Sequence, residues 1–229
     1  MDLYMTSDPS QSELCPGKAV PALVLASASP RRRELLHEAG YEFDVHPADI
    51  DEDDHPTNLT PVELAQWLAT QKAVVIASRF PNSVVLAADT LVVFGDSILG
   101  KPEHADHARQ MLRLLGGTTH MVVTGIALQR DADGFKRVGH VISAVNMRTL
   151  TADEVERYVA SNEWKGKAGG YGIQDNDPFV TRMSGSYTNI MGLPMEMARE
   201  LLTEAGIIPT RPRKADVGSE GSLKLYSRG

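Results

Sequence analysis

Val84–Phe94 (VVLAADTLVVF) reads as one long strand, and Asp89 is the only ionisable residue in it. A carboxylate in the middle of an apolar strand is costly unless it is paired, bound to a metal or placed in a cleft. Asp89 is therefore either a structural residue satisfied by hydrogen bonds, or a general base or metal ligand at a strand end. Whatever fold this chain adopts has to give that carboxylate a partner.

The segments on either side alternate between strand and helix. Residues 22–26 form a short apolar run of buried-strand type. Ser29 can cap a helix with Pro30 at its first position, and Gly40 suits the far end. Residues 41–46 read as a second strand. Thr60-Pro61-Val62-Glu63 is a capping box that opens a helix to about Ser78. Gly95-Asp96 makes a tight turn, and a helix is predicted from near Pro102 to Gly116-Gly117. Two long strands, 121–129 and 136–147, flank the hairpin signal Asp131-Ala132-Asp133-Gly134. A second capping box, Thr151-Ala152-Asp153-Glu154, predicts a helix over 152–161, and a last helix runs to Gly206. Early βα units with a later hairpin give an α/β fold with a mixed sheet. Residues 1–18 and 209–229 lack periodicity, and they are expected as a disordered leader and a flexible tail around one domain, 19–208.

Charge narrows the function classes. The 23 basic and 30 acidic side chains leave a net charge of −7, so no general basic face is expected for nucleic acid. A phosphate ligand would need a local basic pocket in an acidic protein. Cys15 is the single cysteine, which excludes an intrachain disulfide and a cysteine-rich zinc site and fits a reducing compartment. No apolar run approaches the ~20 residues that span a bilayer. Lys18, the apolar run 19–26 and Ser27-Ala28 carry some signal-peptide character. However, Asp2, Asp8 and Glu13 put acid where such a signal needs base. The same residues read well as a buried strand entering a helix, and the chain is expected in the cytoplasm.

Basic and polar residues cluster at several further points. Ser29-Pro30-Arg31-Arg32-Arg33 opens a helix, where free backbone amides and the dipole favour an anion. The three arginines are either solvated or hold a ligand; cations in a first turn oppose the dipole, a conflict an anionic ligand removes. The acidic run 49–54 is either a solvated loop or supplies one cation ligand, best Glu52, since magnesium takes one or two carboxylates plus substrate phosphates. Gly95-Asp-Ser-Ile-Leu-Gly100-Lys101 imitates a P-loop, but Pro102 stands where the magnesium-binding Ser or Thr belongs. Residues 97–99 read instead as a returning strand, leaving Lys101 as a point charge for phosphate. In residues 165–174 (KGKAGGYGIQ), glycines allow close backbone approach, Lys167 brings charge and Gln174 an amide able to read a base. His104 and His107 read as surface residues on a helix.

Taken in order, these segments closely resemble the Maf family of nucleotide pyrophosphatases. The resemblance is carried by LASASPRRRELL, AADTLVV, GKPEHADHARQMLRLLGGTTHMVVTG, KAGGYGIQ and GSYTNIMGLP, from about Leu23 to Gly206. It implies a mixed twisted sheet flanked by helices, with two lobes around a central cleft. It also implies hydrolysis of a nucleoside triphosphate to monophosphate and pyrophosphate with magnesium or manganese, in a homodimer. Asp89 matches the family's proton acceptor, and with Glu52 it is the expected metal site. Lys101 and Lys167 are expected to act on the phosphates. Arg31, Thr90 and Gln174 match positions tied to base selectivity, while Ser29, Arg32 and Lys72 complete the lining. The YGIQ and GSYTN signatures resemble the branch acting on dTTP and UTP, with modified pyrimidine nucleotides as further candidates. Two departures stand out: Gly166 where the family usually has Asp, and Asp175 where Gly commonly follows the Gln. The rival readings are a non-catalytic nucleotide sensor regulating cell division, which Gly166 favours, and an inosine or xanthosine triphosphate pyrophosphatase.

Overall fold

The structure, a computed structural model, describes residues 22–174 and 179–210. The expected leader, Cys15, Asp175 and the tail beyond Thr210 lie outside the described residues. Helices of the first half form where their caps predict. Strand β1 (Leu23–Leu25) is fully buried and leads into α1 (Pro30–Glu38), capped by the Ser29 side chain with Pro30 in the first turn. The expected second strand shrinks to β2 (Asp44–Val45), while α2 (Pro61–Ala77) carries both halves of the Thr60–Glu63 capping box. Next come β3 (Val84–Phe94) and β4 (Ser97–Leu99), which pair antiparallel, so the P-loop lookalike is a hairpin.

Helix α3 (Ala105–Leu115) starts three residues later than its sequence suggests. The His104 ring accepts from the His107 amide at 3.2 Å and caps the helix, so the pair shapes a helix start. Strands β5 (Thr119–Arg130) and β6 (Phe135–Met147) form the expected hairpin, with Gly134 at φ 69° completing its turn. After α4 (Ala152–Ser161) come β7 (Val180–Ser184), the short α5 (Tyr187–Ile190) and α6 (Met195–Glu204). Strand β7 was not expected, because its residues are mostly exposed and show no apolar alternation.

All seven strands join one sheet in the order β2-β1-β3-β5-β6-β7, with β4 added beside β3. The β1 pairings are parallel and the others antiparallel, which makes the sheet mixed as expected. Side chains of β3 alternate between faces. On one face, α2 covers Val85, Ala87 and Leu91 along the strand's length. On the other, α1 and α6 pack over Val84, Leu86 and Ala88, whereas α3 and α4 pack over Val92. The two clusters on that face are the two lobes, and Thr90 lies between them.

Helix α2 approaches the sheet through a glycine. Gly125 of β5 stands opposite Asp89 of β3, and a Cβ on it would lie 2.2 Å from the Ala65 carbonyl oxygen of α2. That contact lets the helix settle low enough to reach β3. We expect Gly125→Ala to force α2 away and to lower the unfolding free energy by about 2–3 kcal/mol in denaturant titrations, the scale of an overpacked core. An unchanged denaturation midpoint would refute this account of the packing.

Candidate functional site

A break in the sheet creates the cleft. Along one edge of β3, β1 pairs with Val84, Val85 and Leu86, and β4 pairs with Val92, Val93 and Phe94. Among the described residues no strand covers the edge between Leu86 and Val92, and Asp89 and Thr90 occupy that gap. Ligands of open α/β sheets bind beyond the carboxyl ends of strands, and here the end of β1 opens on the gap. The resulting cleft has a volume of about 480 Å³.

From the α2 side comes Lys72. Its ammonium donates to Asp89 Oδ1 at 2.5 Å and to Glu52 Oε1 at 2.7 Å. Lys72 and Asp89 are both buried, so the ion pair solves the problem that Asp89 posed in the sequence. Glu52 is more exposed, and Lys101 reaches its other oxygen at 3.3 Å. Desolvation pushes the Glu52 carboxyl up, but the bond and charge of Lys72, helped by Lys101, outweigh it and hold the pKa below its ordinary value. The remaining acids of the 49–54 run stay outside the cleft lining, as solvated loop residues do.

From the opposite face comes Arg32 of α1. Its guanidinium donates to the Gly192 carbonyl (2.7 Å), the Thr90 hydroxyl (3.1 Å) and the Ser27 hydroxyl (3.1 Å). All three partners are neutral, and no carboxylate among the described residues forms an ion pair with it. Burial lowers the Arg32 pKa, opposed by the field of Asp89 and reinforced by the neighbouring Arg31. A desolvated cation satisfied only by neutral acceptors is well suited to an incoming anion. Thr90 in turn shares a hydrogen bond with Thr124 at 3.0 Å, tying Arg32 to the sheet.

The third wall is the glycine-rich segment. Arg31 donates to the Gly166 carbonyl at 3.4 Å, and Lys167, Gly172 and Gln174 line the cleft. Gly166 has φ 70° and open space about it. All ten expected site residues (Ser29, Arg31, Arg32, Glu52, Lys72, Asp89, Thr90, Lys101, Lys167 and Gln174) therefore line one cavity. Sequence reasoning missed Ser27 and the Gly192 carbonyl, which hold Arg32, and Lys165. The polar run before Gly192 was visible, but its contact with α1 spans 160 residues of chain.

Six cations (Arg31, Arg32, Lys72, Lys101, Lys165, Lys167) face two carboxylates across this lining, in a protein of net charge −7. That is the local basic pocket a polyphosphate needs. Glu52 and Asp89 converge on one ammonium, which is a donor set that suits magnesium or manganese completed by substrate phosphates. Among the described residues no group of three or more His, Cys, Asp or Glu side chains forms a protein cage for a metal, and no helix is long and apolar enough to cross a membrane.

A family model for Maf-like proteins matches residues 22–205. The chain belongs to this family. It is 43% identical over 198 residues to the dTTP/UTP pyrophosphatase of Syntrophus aciditrophicus, covering 86% of this chain and 96% of that one. The dTTP/UTP pyrophosphatase of Thermomicrobium roseum is 46% identical over 193 residues, 83% of this chain and 87% of its own. The Bacillus pumilus protein of the same name is 41% identical over 188 residues, 82% and 98%. The matched span contains the whole cleft.

The Lys72–Asp89 pair generates a stability prediction. Lys72→Met leaves a buried carboxylate without its counterion, and breaking such a pair costs about 3–5 kcal/mol. Urea denaturation should show a loss of that order. A loss below about 1 kcal/mol would mean that Asp89 is satisfied without Lys72.

Proposed function

We propose that this chain is a nucleoside triphosphate pyrophosphatase that hydrolyses dTTP and UTP to the monophosphate and pyrophosphate. The observation that carries the reading is a buried carboxylate, Asp89, at the floor of a cleft whose lining is otherwise strongly cationic. The names of the relatives, dTTP/UTP pyrophosphatase, support the substrate class.

In this mechanism the triphosphate lies across the 29–33 turn, where the amides at the start of α1 and the Arg31 and Arg32 guanidiniums meet its oxygens. Lys101 and Lys167 neutralise charge on the departing β- and γ-phosphates. Water attacks the α-phosphorus in line with the bridging oxygen to the β-phosphorus. A new P–O bond forms, the α–β anhydride bond breaks, and Asp89 takes the proton that water loses. Lys72 holds the Asp89 carboxylate aimed until that moment. Glu52 and Asp89 would hold a magnesium or manganese ion, which when bound supplies further neutralisation of the phosphate oxygens. Phosphoryl transfer needs mainly positioning and charge stabilisation, and this arrangement provides both. Gln174, which lines the cleft with Arg31, reads the pyrimidine through its amide in this mechanism.

We further propose a cytoplasmic homodimer. The exposed Met121, Val138 and Ile142 leave an apolar strip on β5 and β6 that a second copy could cover.

The test is pyrophosphate release from UTP, dTTP, GTP and ITP with magnesium or manganese. The wild type should act on UTP and dTTP first, and Asp89→Asn should lose at least about 100-fold in kcat while remaining folded by circular dichroism, because Glu52 still pairs with Lys72. A folded Asn variant with full activity would overturn the role of Asp89. Nucleotide binding without pyrophosphate release would favour the sensor reading, and a preference for ITP the purine one.

A further inference from the structure

One buried imidazole remains outside the mechanism. His120, near the start of β5, is 1% exposed, stands opposite Val145 of β6 and meets Tyr171, both members of the apolar cluster beneath α3 and α4. Its Nε2 lies 2.6 Å from the Tyr171 hydroxyl, with the two rings edge to face at 5.4 Å. Its Nδ1 has no hydrogen-bond partner among the described residues. Apolar rings at both 120 and 171 would fill such a site without leaving a buried polar atom unmet. The ring is thus kept at a cost, and the one hydrogen bond it makes among the described residues goes to Tyr171. Burial lowers the His120 pKa to about 4 and raises that of Tyr171, so the two meet as a neutral pair.

Tyr171 is the deep anchor of the cleft's third wall. It lies four residues after Lys167 and three before Gln174. The segment between them enters the core by its backbone. Gly169 and Gly170 both adopt positive φ, and a Cβ on Gly169 would press within 3.1 Å of Val92 and 3.3 Å of Leu115. The Gly169 amide donates to the Gly100 carbonyl at 3.0 Å, next to Lys101. Gly169 and Gly170 bring no side chains of their own to orient the segment. The His120–Tyr171 bond supplies a directional fix.

We propose that His120 is a positioning residue, which through Tyr171 sets where Gln174 stands in the cleft. This rests on the reading of the cleft as a pyrimidine nucleotide site. It says that nucleotide affinity and base preference depend on a ring that touches no substrate, whereas the proton transfer at Asp89 does not.

The test compares His120→Phe, His120→Gln and Tyr171→Phe with the wild type. Glutamine places an amide near the position of Nε2 and should restore the bond, while phenylalanine keeps the ring volume without it. For UTP, His120→Phe and Tyr171→Phe should each raise KM about tenfold, the scale of one lost buried hydrogen bond, with kcat within about threefold. Both should narrow the preference for UTP over GTP, and His120→Gln should recover most of each change. Amide hydrogen exchange should quicken over residues 167–174 in the two phenylalanine variants and stay slow in His120→Gln. If all three variants match the wild type in KM, preference and exchange, the inference is wrong. If His120→Gln loses as much as His120→Phe, the ring acts only as packing, and it is wrong as well. A wild type that releases no pyrophosphate from any nucleotide would sink the functional reading instead, while the exchange rates would still decide whether His120 holds the segment.

Discussion

The Lys72 ammonium, seated between Asp89 and Glu52, is the contact on which this site turns. It lets an ionised carboxylate sit in the middle of a buried strand, and its position depends on the fold around it. Helix α2 can reach that depth because Gly125, opposite Asp89, offers no side chain. The sheet in turn leaves Asp89 accessible because β1 stops short of it and β4 begins beyond it. Charge pairing, helix packing and strand length thus converge on two residues of one strand.

The two faces of the sheet contribute different parts. Asp89 points toward α2 and meets Lys72, while Thr90 points the other way and meets Arg32. In a continuous sheet these faces would be isolated from each other. The gap in the edge of β3 joins them, so the Lys72–Asp89 pair from one side and the arginines of α1 from the other line one cavity. Arg32 shows how this joint is locked, since it binds α1 to β3 and to the loop at Gly192 at once. The guanidinium's fixed fork suits such a triple contact better than an ammonium would.

Much of this was legible in the sequence, because the signals concerned are local. The Thr60 and Thr151 capping boxes, the Asp131–Asp133 turn and the strand around Asp89 each declare themselves within a few residues. Asp89 stood out since an apolar context makes a charge expensive wherever it folds. Its partner could not be read from spacing, because the Lys72 contact depends on the crossing of α2 over β5. The same applies to Arg32 and Gly192. The start of α3 was misplaced because histidine is an uncommon cap, and β7 was missed because a mostly exposed edge strand needs no apolar alternation. Nothing in the sequence around His120 marks it, and only burial and its tie to Tyr171 single it out.

The central claim is spatial: the α-phosphorus of a pyrimidine triphosphate comes to rest beside Asp89, with its phosphates over the start of α1. A crystal structure with a non-hydrolysable UTP analogue and manganese tests this most directly. The account predicts the α-phosphate within reach of Asp89 through one water, the metal on Glu52 and Asp89, and the base beside Gln174. A nucleotide bound with its triphosphate away from the 29–33 turn, or with Asp89 still closed off by Lys72 and remote from the α-phosphorus, would contradict it.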